Sequence, residues 1–189
     1  GGLVAQQDNQ NELLLEESIR NLVSSATNTW SASGGAAVGI DENNIFYGSS
    51  AFTINTSQAD QGATQSLSSN LFFDRNDYTL SLRLFSTTGS TSARITFTLG
   101  SRGNSASTTA VMHGQYWLPF QVRNTISAAI SETSITGEVG IQQLHNGGSD
   151  AGSLFSVDGV CIQEGDYSSV FVGPGQLRKS GQLNWVIGD

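Results

Sequence analysis

Tyr78-Thr79-Leu80-Ser81-Leu82-Arg83-Leu84 and Ala93-Arg94-Ile95-Thr96-Phe97-Thr98-Leu99 are the two stretches that decide the fold class. In the first, Tyr78, Leu80, Leu82 and Leu84 fall on one face, and Thr79, Ser81 and Arg83 on the other. In the second, Ile95, Phe97 and Leu99 share a face opposite Arg94, Thr96 and Thr98. Side chains alternate across a strand with a period of two, so each stretch reads as a strand with one face buried and one wet. The polar linker Ser86-Thr87-Thr88-Gly89-Ser90-Thr91-Ser92 predicts that the two pair antiparallel.

Working outward, the same period of two recurs in shorter pieces at 36–40, 45–47, 50–56, 63–67, 117–123, 125–131, 135–143 and 153–163. Leu118, Phe120 and Val122 alternate, as do Ile135, Val139 and Ile141. Gly100–Gly103 and Asn146-Gly147-Gly148 punctuate them as turns. A parallel sheet would need crossover helices between strands, and no helical period intervenes. The expectation is an all-β protein, an antiparallel two-sheet sandwich with one polar face per strand.

The ends read differently. Asn9 and Glu12 have capping-box spacing, and Leu15, Ile19, Leu22 and Val23 recur at helical intervals, which predicts a short helix over 11–23. Thirteen residues are marginal as an isolated helix, so this one packs either on its own domain or on a neighbouring chain. From Tyr167 onward, Val170-Phe171-Val172 and Leu183-Asn184-Trp185-Val186-Ile187 flank a Pro174-Gly175 break. They read either as edge strands or as a C-terminal arm against another subunit. The predicted layout is a helical arm over 1–23, a sandwich over 24–166 and an extension over 167–189. Leu15, Ile19, Leu22, Phe171 and Trp185 are the candidate assembly contacts, each contributing about 1.5–3 kcal/mol if buried.

Composition excludes several functions. The 189 residues carry eight Lys+Arg against sixteen Asp+Glu, a net charge of −8, with Lys179 the single lysine. Nucleic acid and anionic membranes both need clustered cations, so neither is an expected partner. No stretch approaches the ~20 apolar residues that span a bilayer. One cysteine, Cys161, cannot form an internal disulfide, and in an apolar strand it reads as an inert small hydrophobe. Gly1-Gly2-Leu3-Val4 has no signal-type run, which leads us to expect synthesis in a cytoplasm. His113 and His145 lack ligand-type spacing to each other or to Cys161. The carboxylate pairs Asp41/Glu42, Asp74/Asp77 and Glu164/Asp166 sit in turn-like segments, where carboxylates cap turns more often than they cleave glycosides. No enzyme is expected.

The order of pieces is informative: Asn21-Leu22-Val23, then Trp30, a Gly-containing strand at 48–54 and Gln65 in a short strand. Asp77-Tyr78-Thr79-Leu80-Ser81 follows, then Trp117–Val122, and last Val157-Asp158-Gly159-Val160. Over about residues 21–163 this resembles the galactose-binding-like jelly roll, in particular carbohydrate-binding modules of the family 4/9 type, also found in bacteriophage virion proteins. The resemblance implies a jelly-roll sandwich and a structural calcium. The Phe-Glu-x-Gly segment tied to that calcium is replaced here by Ser24–Asn28, so no cofactor is expected, and Asp158 reads as a turn cap rather than a calcium ligand. The resemblance also implies sugar stacking on flat aromatic faces. Trp30, Tyr47, Tyr116 and Trp117 stand nearest the predicted loops and strand ends, with Asn44, Gln115 and Arg83 as hydrogen-bonding candidates.

Two functions fit. The first is a virion structural protein of a bacteriophage, such as a capsid decoration, fibre or tail component. It would be a homo-oligomer, with a trimer the natural guess for a fibre or surface knob. Its terminal segments would hold other virion proteins, and its loops would meet cell-surface glycans. The second is a carbohydrate-binding module detached from a secreted glycoside hydrolase.

Overall fold

The computed structural model describes residues 30–47, 50–67, 77–100, 104–125, 137–145 and 151–165. Among these residues there are ten strands: β1 (Trp30–Ser33), β2 (Ala37–Asp41), β3 (Ala51–Asn55), β4 (Gly62–Leu67), β5 (Asp77–Ser86), β6 (Thr91–Leu99), β7 (Asn104–Met112), β8 (Leu118–Thr125), β9 (Gly137–Gln143) and β10 (Leu154–Glu164). They form two five-stranded sheets, ordered β1-β4-β9-β6-β7 and β2-β3-β10-β5-β8. Every pairing is antiparallel. The all-β two-sheet sandwich is therefore present, and the described residues contain no helix. The expected helix over 11–23, the extension over 167–189 and the assembly contacts Leu15, Ile19, Leu22, Phe171 and Trp185 lie outside the described residues.

The alternation that marks β5 and β6 builds the core. Leu80, Leu84, Ile95, Phe97 and Leu99 are fully buried, and they join Phe52, Ile54, Val139, Ile141, Phe155 and Ile162 in one cluster between the sheets. The two strands do not pair with each other, contrary to the antiparallel pair expected from their linker. Both ladder edges of β5 are taken by β10 and β8, and those of β6 by β9 and β7. Pairing would have put both apolar faces on the same side of one sheet. Crossing between sheets presses them against each other, which removes more apolar surface from water. The crossing is secured where it leaves β5: Thr87 donates both its backbone N–H and its Oγ1 hydroxyl to the Leu154 carbonyl, at 3.0 and 2.9 Å.

β1 and β7 have no counterpart in the expected strands. In β7 the inward positions include Ala106, Thr108 and Ala110, too small and polar to register as a hydrophobic stripe. Both strands lie at a sheet edge, where little core needs filling. The segment 45–47 is a bend rather than a strand. Beyond Thr125, the expected strand over 125–131 lies outside the described residues. Gly62 is where β4 meets β9 most closely: a Cβ there would stand 1.9 Å from the Ile141 carbonyl oxygen, so only glycine fits.

Candidate functional site

The outer face of the β2-β3-β10-β5-β8 sheet carries a group of aromatic side chains. Thr79, Ser81, Arg83 and Phe85 point outward from β5, because Tyr78, Leu80, Leu82 and Leu84 point in. Pro119 sits opposite Arg83 on β8, an edge strand, where the missing proline N–H is tolerated. Trp117 immediately precedes β8, reached through a turn in which Gly114 takes φ +62°. Phe85 and Trp117 have ring centroids 5.3 Å apart with planes at 38°.

The third contributor is the loop leaving β2. Phe46 lies 6.0 Å from Trp117, and Tyr47 packs edge-on against Phe46 at 4.6 Å. The Arg83 guanidinium carbon is 4.1 Å from the centre of the Phe46 ring, within cation–π range. Together these rings and the guanidinium form one patch. Trp117 and Tyr47 are partly exposed, Phe46 is 39% exposed, and Phe85 lies beneath at 8%.

A bulge in β10 holds this loop in place. Between Asp158 and Cys161, β10 spends three residue steps while β5 spends two, from Arg83 to Ser81. The extra residue is accommodated at Gly159, with φ +62°. In a regular strand those three steps would put Asp158 and Cys161 on opposite faces; the bulge puts them on one. With it, Val157 and Ile162 stay in the core while Asp158 faces outward. Asp158 Oδ2 then accepts the backbone N–H groups of Phe46 and Tyr47, each at 2.8 Å, and Oδ1 accepts that of Gly159 at 2.7 Å. The carboxylate thus acts as a cap for the loop, as the sequence suggested.

Asp41 secures the other end of the loop. Its Oδ1 accepts the Asn43 and Asn44 backbone N–H groups, both at 2.9 Å. Its Oδ2 accepts the Asn44 side chain at 3.0 Å and the Ser156 hydroxyl at 2.7 Å. Burial alone would raise this carboxyl, but the bonds from Ser156, Asn44 and Asn43 outweigh it and hold the carboxyl at about 2. Farther along the sheet, Asp77 is likewise lowered, by the Thr125 hydroxyl and by Arg123, whose Nη2 is 2.6 Å away.

Of the expected sugar-contacting residues, the fold brings Tyr47 and Trp117 into one patch. Tyr116 adjoins it in sequence and is 71% exposed. Trp30 is a correction: it is 6% exposed, stacked on Phe52 at 4.5 Å in the core, so its ring offers no open face on this patch. Arg83 is in the patch, Asn44 is committed to Asp41, and Gln115 is exposed beside Tyr116. Phe46 and Phe85 were missed by sequence reasoning. Phe85 falls at a position whose outward direction is readable from Leu84, but Phe46 lies in a loop without periodicity. Cys161 is buried outside the core cluster, and His145 Nε2 lies 3.4 Å from Asp60 Oδ2 at the surface. No group of three or more metal-ligating side chains occurs among the described residues.

Fold and patch together describe a β-sandwich with an aromatic group on one outer sheet face. No protein-family model matches the sequence, and no curated protein matches it either. Solved structures do share the fold. The CBM22-1 xylan-binding domain of Paenibacillus barcinonensis Xyn10C superposes with a TM-score of 0.55 at 16% identity, over 79% of this chain and 94% of that one. A family 4 carbohydrate-binding module gives 0.52 at 14%, over 72% and 95%. The enzymatically active domain of bacteriophage CBA120 tailspike protein 4 gives 0.52 at 12%, over 76% of this chain and 21% of that one. The chain has the sandwich fold of carbohydrate-binding modules.

Proposed function

We propose that this chain is a non-catalytic carbohydrate-binding module that takes a polysaccharide along the outer face of the β2-β3-β10-β5-β8 sheet. The observation that carries this reading is the convergence of Phe46, Tyr47 and Trp117, with Arg83, on that face. Sugar rings have apolar faces that stack on aromatic rings, and their hydroxyls need donors and acceptors beside the stack. Ser81 and Gln121, paired across β5 and β8 on the same face, supply these next to the patch. The fold shared with a xylan-binding domain and a family 4 module adds support. The mechanism needs no proton transfer: a loop anchored by Asp41 and Asp158 presents rings already in place, so little conformational entropy is lost on binding.

The test is affinity electrophoresis against soluble β-linked polysaccharides, including xylan. Wild-type protein should be retarded by at least one, and Trp117→Ala should not be. A panel that leaves wild-type mobility unchanged would refute the reading.

A second reading, a bacteriophage virion component that assembles through residues 1–23 and 167–189, draws on the likeness to the tailspike domain. The two differ in size in solution. A binding module runs as a monomer near 19.9 kDa, whereas a particle component runs as an oligomer or sediments with particles.

A further inference from the structure

Three arginines occur among the described residues, and they are not alike. Arg123 is paired with Asp77. Arg94 lies exposed on β6, in the other sheet. Arg83 is half-buried in the aromatic patch, with its guanidinium carbon 4.1 Å from the centre of the Phe46 ring. The carboxylate that faces it across the ladder is Asp158, its register partner on β10. That carboxylate directs its oxygens to the backbone N–H groups of Phe46, Tyr47 and Gly159 instead. Asp41, at the end of β2, is likewise taken up by Asn43, Asn44 and Ser156, and Glu42 beside it is exposed.

Among the described residues, Arg83 is therefore a planar cation backed by a ring and without a hydrogen-bonded anion. A half-buried charge in that state is costly unless something supplies acceptors. Guanidinium groups bind carboxylates in a two-pronged, charge-assisted geometry, whereas paired sugar hydroxyls accept from the same fork without the gain from opposite charge.

We infer that the polysaccharide recognised by the patch carries carboxylates, as uronic acids do, and that Arg83 is the residue that selects them. This inference rests on the carbohydrate-binding reading and deepens it. The sugar ring stacks on the exposed aromatics while its carboxylate meets the open edge of the guanidinium. The chain's charge of −8 opposes any general attraction of polyanions, so selection must be local.

The experiment compares glucuronoxylan, alginate and polygalacturonate, each beside its carboxyl-reduced product, by titration calorimetry on the full chain. At least one acidic form should bind about tenfold more tightly than its reduced form, and the preference should shrink as salt is raised. Arg83→Gln should abolish the preference, so that each acidic form and its reduced product bind equally, and Arg83→Lys should restore only part of it. Unchanged thermal unfolding of these variants shows that their folds are intact. Trp117→Ala should weaken both forms alike. Equal affinity within every pair, or a preference that survives Arg83→Gln, overturns the inference. If only neutral polysaccharides bind, and do so through Trp117, the inference fails while the binding reading stands. If no polysaccharide binds at all, both fail.

Discussion

Asp158 and Asp41 do their work through the backbone of one loop. Removing the Asp158 carboxylate by Asp158→Ala leaves the N–H groups of Phe46 and Tyr47 without their acceptor, at a cost of about 1–3 kcal/mol. Denaturant unfolding should show that loss, and sugar affinity should fall with it because Phe46 is no longer held over Arg83. Asp41 adds a pH dependence. Its carboxyl sits at about 2 in the folded chain against 3.8 unperturbed, so the unfolded state binds the proton more readily. The stabilisation is complete above pH 4 and is lost as pH falls through about 2. Screened by nearby solvent, it amounts to about 1 kcal/mol. Thermal unfolding from pH 5 to pH 2 should therefore fall more steeply for wild type than for Asp41→Asn, and parallel curves would contradict this assignment.

The direction of Arg83 and Phe85 is legible in the sequence because each is one step from a core leucine. Tyr47 and Trp117 were legible only as aromatics near strand ends. Phe46 was not legible at all, since its place depends on hydrogen bonds to Asp158, 112 positions away in the chain. Trp30 misled for a related reason. A tryptophan near a predicted loop or strand end reads as accessible, but its stack on Phe52 arises only when the two sheets come together.

At the scale of elements, the period of two found most of the strands and the central core. It failed to give their partners, because an apolar stripe says which face is buried and not which strand lies alongside. The crossing between β5 and β6 is the clearest instance. The bulge in β10 is an element-level device with a sharp consequence. Gly159, at φ +62°, lets β10 fit three steps against the two of β5, so Gly159→Ala keeps the step count but strains the bulge. That variant should lower stability by about 1–2 kcal/mol, the cost of a left-handed conformation in a residue with a Cβ. Gly62→Ala should also destabilise the sandwich, because its Cβ meets backbone that cannot move without parting β4 from β9. Chemical denaturation of each variant checks these expectations, and a wild-type midpoint for either would contradict the close approach or the bulge.

For the molecule as a whole, the two sheets enclose one core, and the proposed binding face lies on the outside of one sheet, away from that core. Core and patch should therefore respond independently. Phe97→Ala, far from the patch in sequence and fully buried, should cost about 3–5 kcal/mol without changing which polysaccharides the remaining folded protein binds. Trp117→Ala should do the reverse. The most direct single measurement is the affinity of wild type and Trp117→Ala for a soluble polysaccharide, taken with their unfolding temperatures. The account predicts at least a tenfold weaker complex for the variant at a closely similar unfolding temperature. Equal affinity of the two proteins would contradict it.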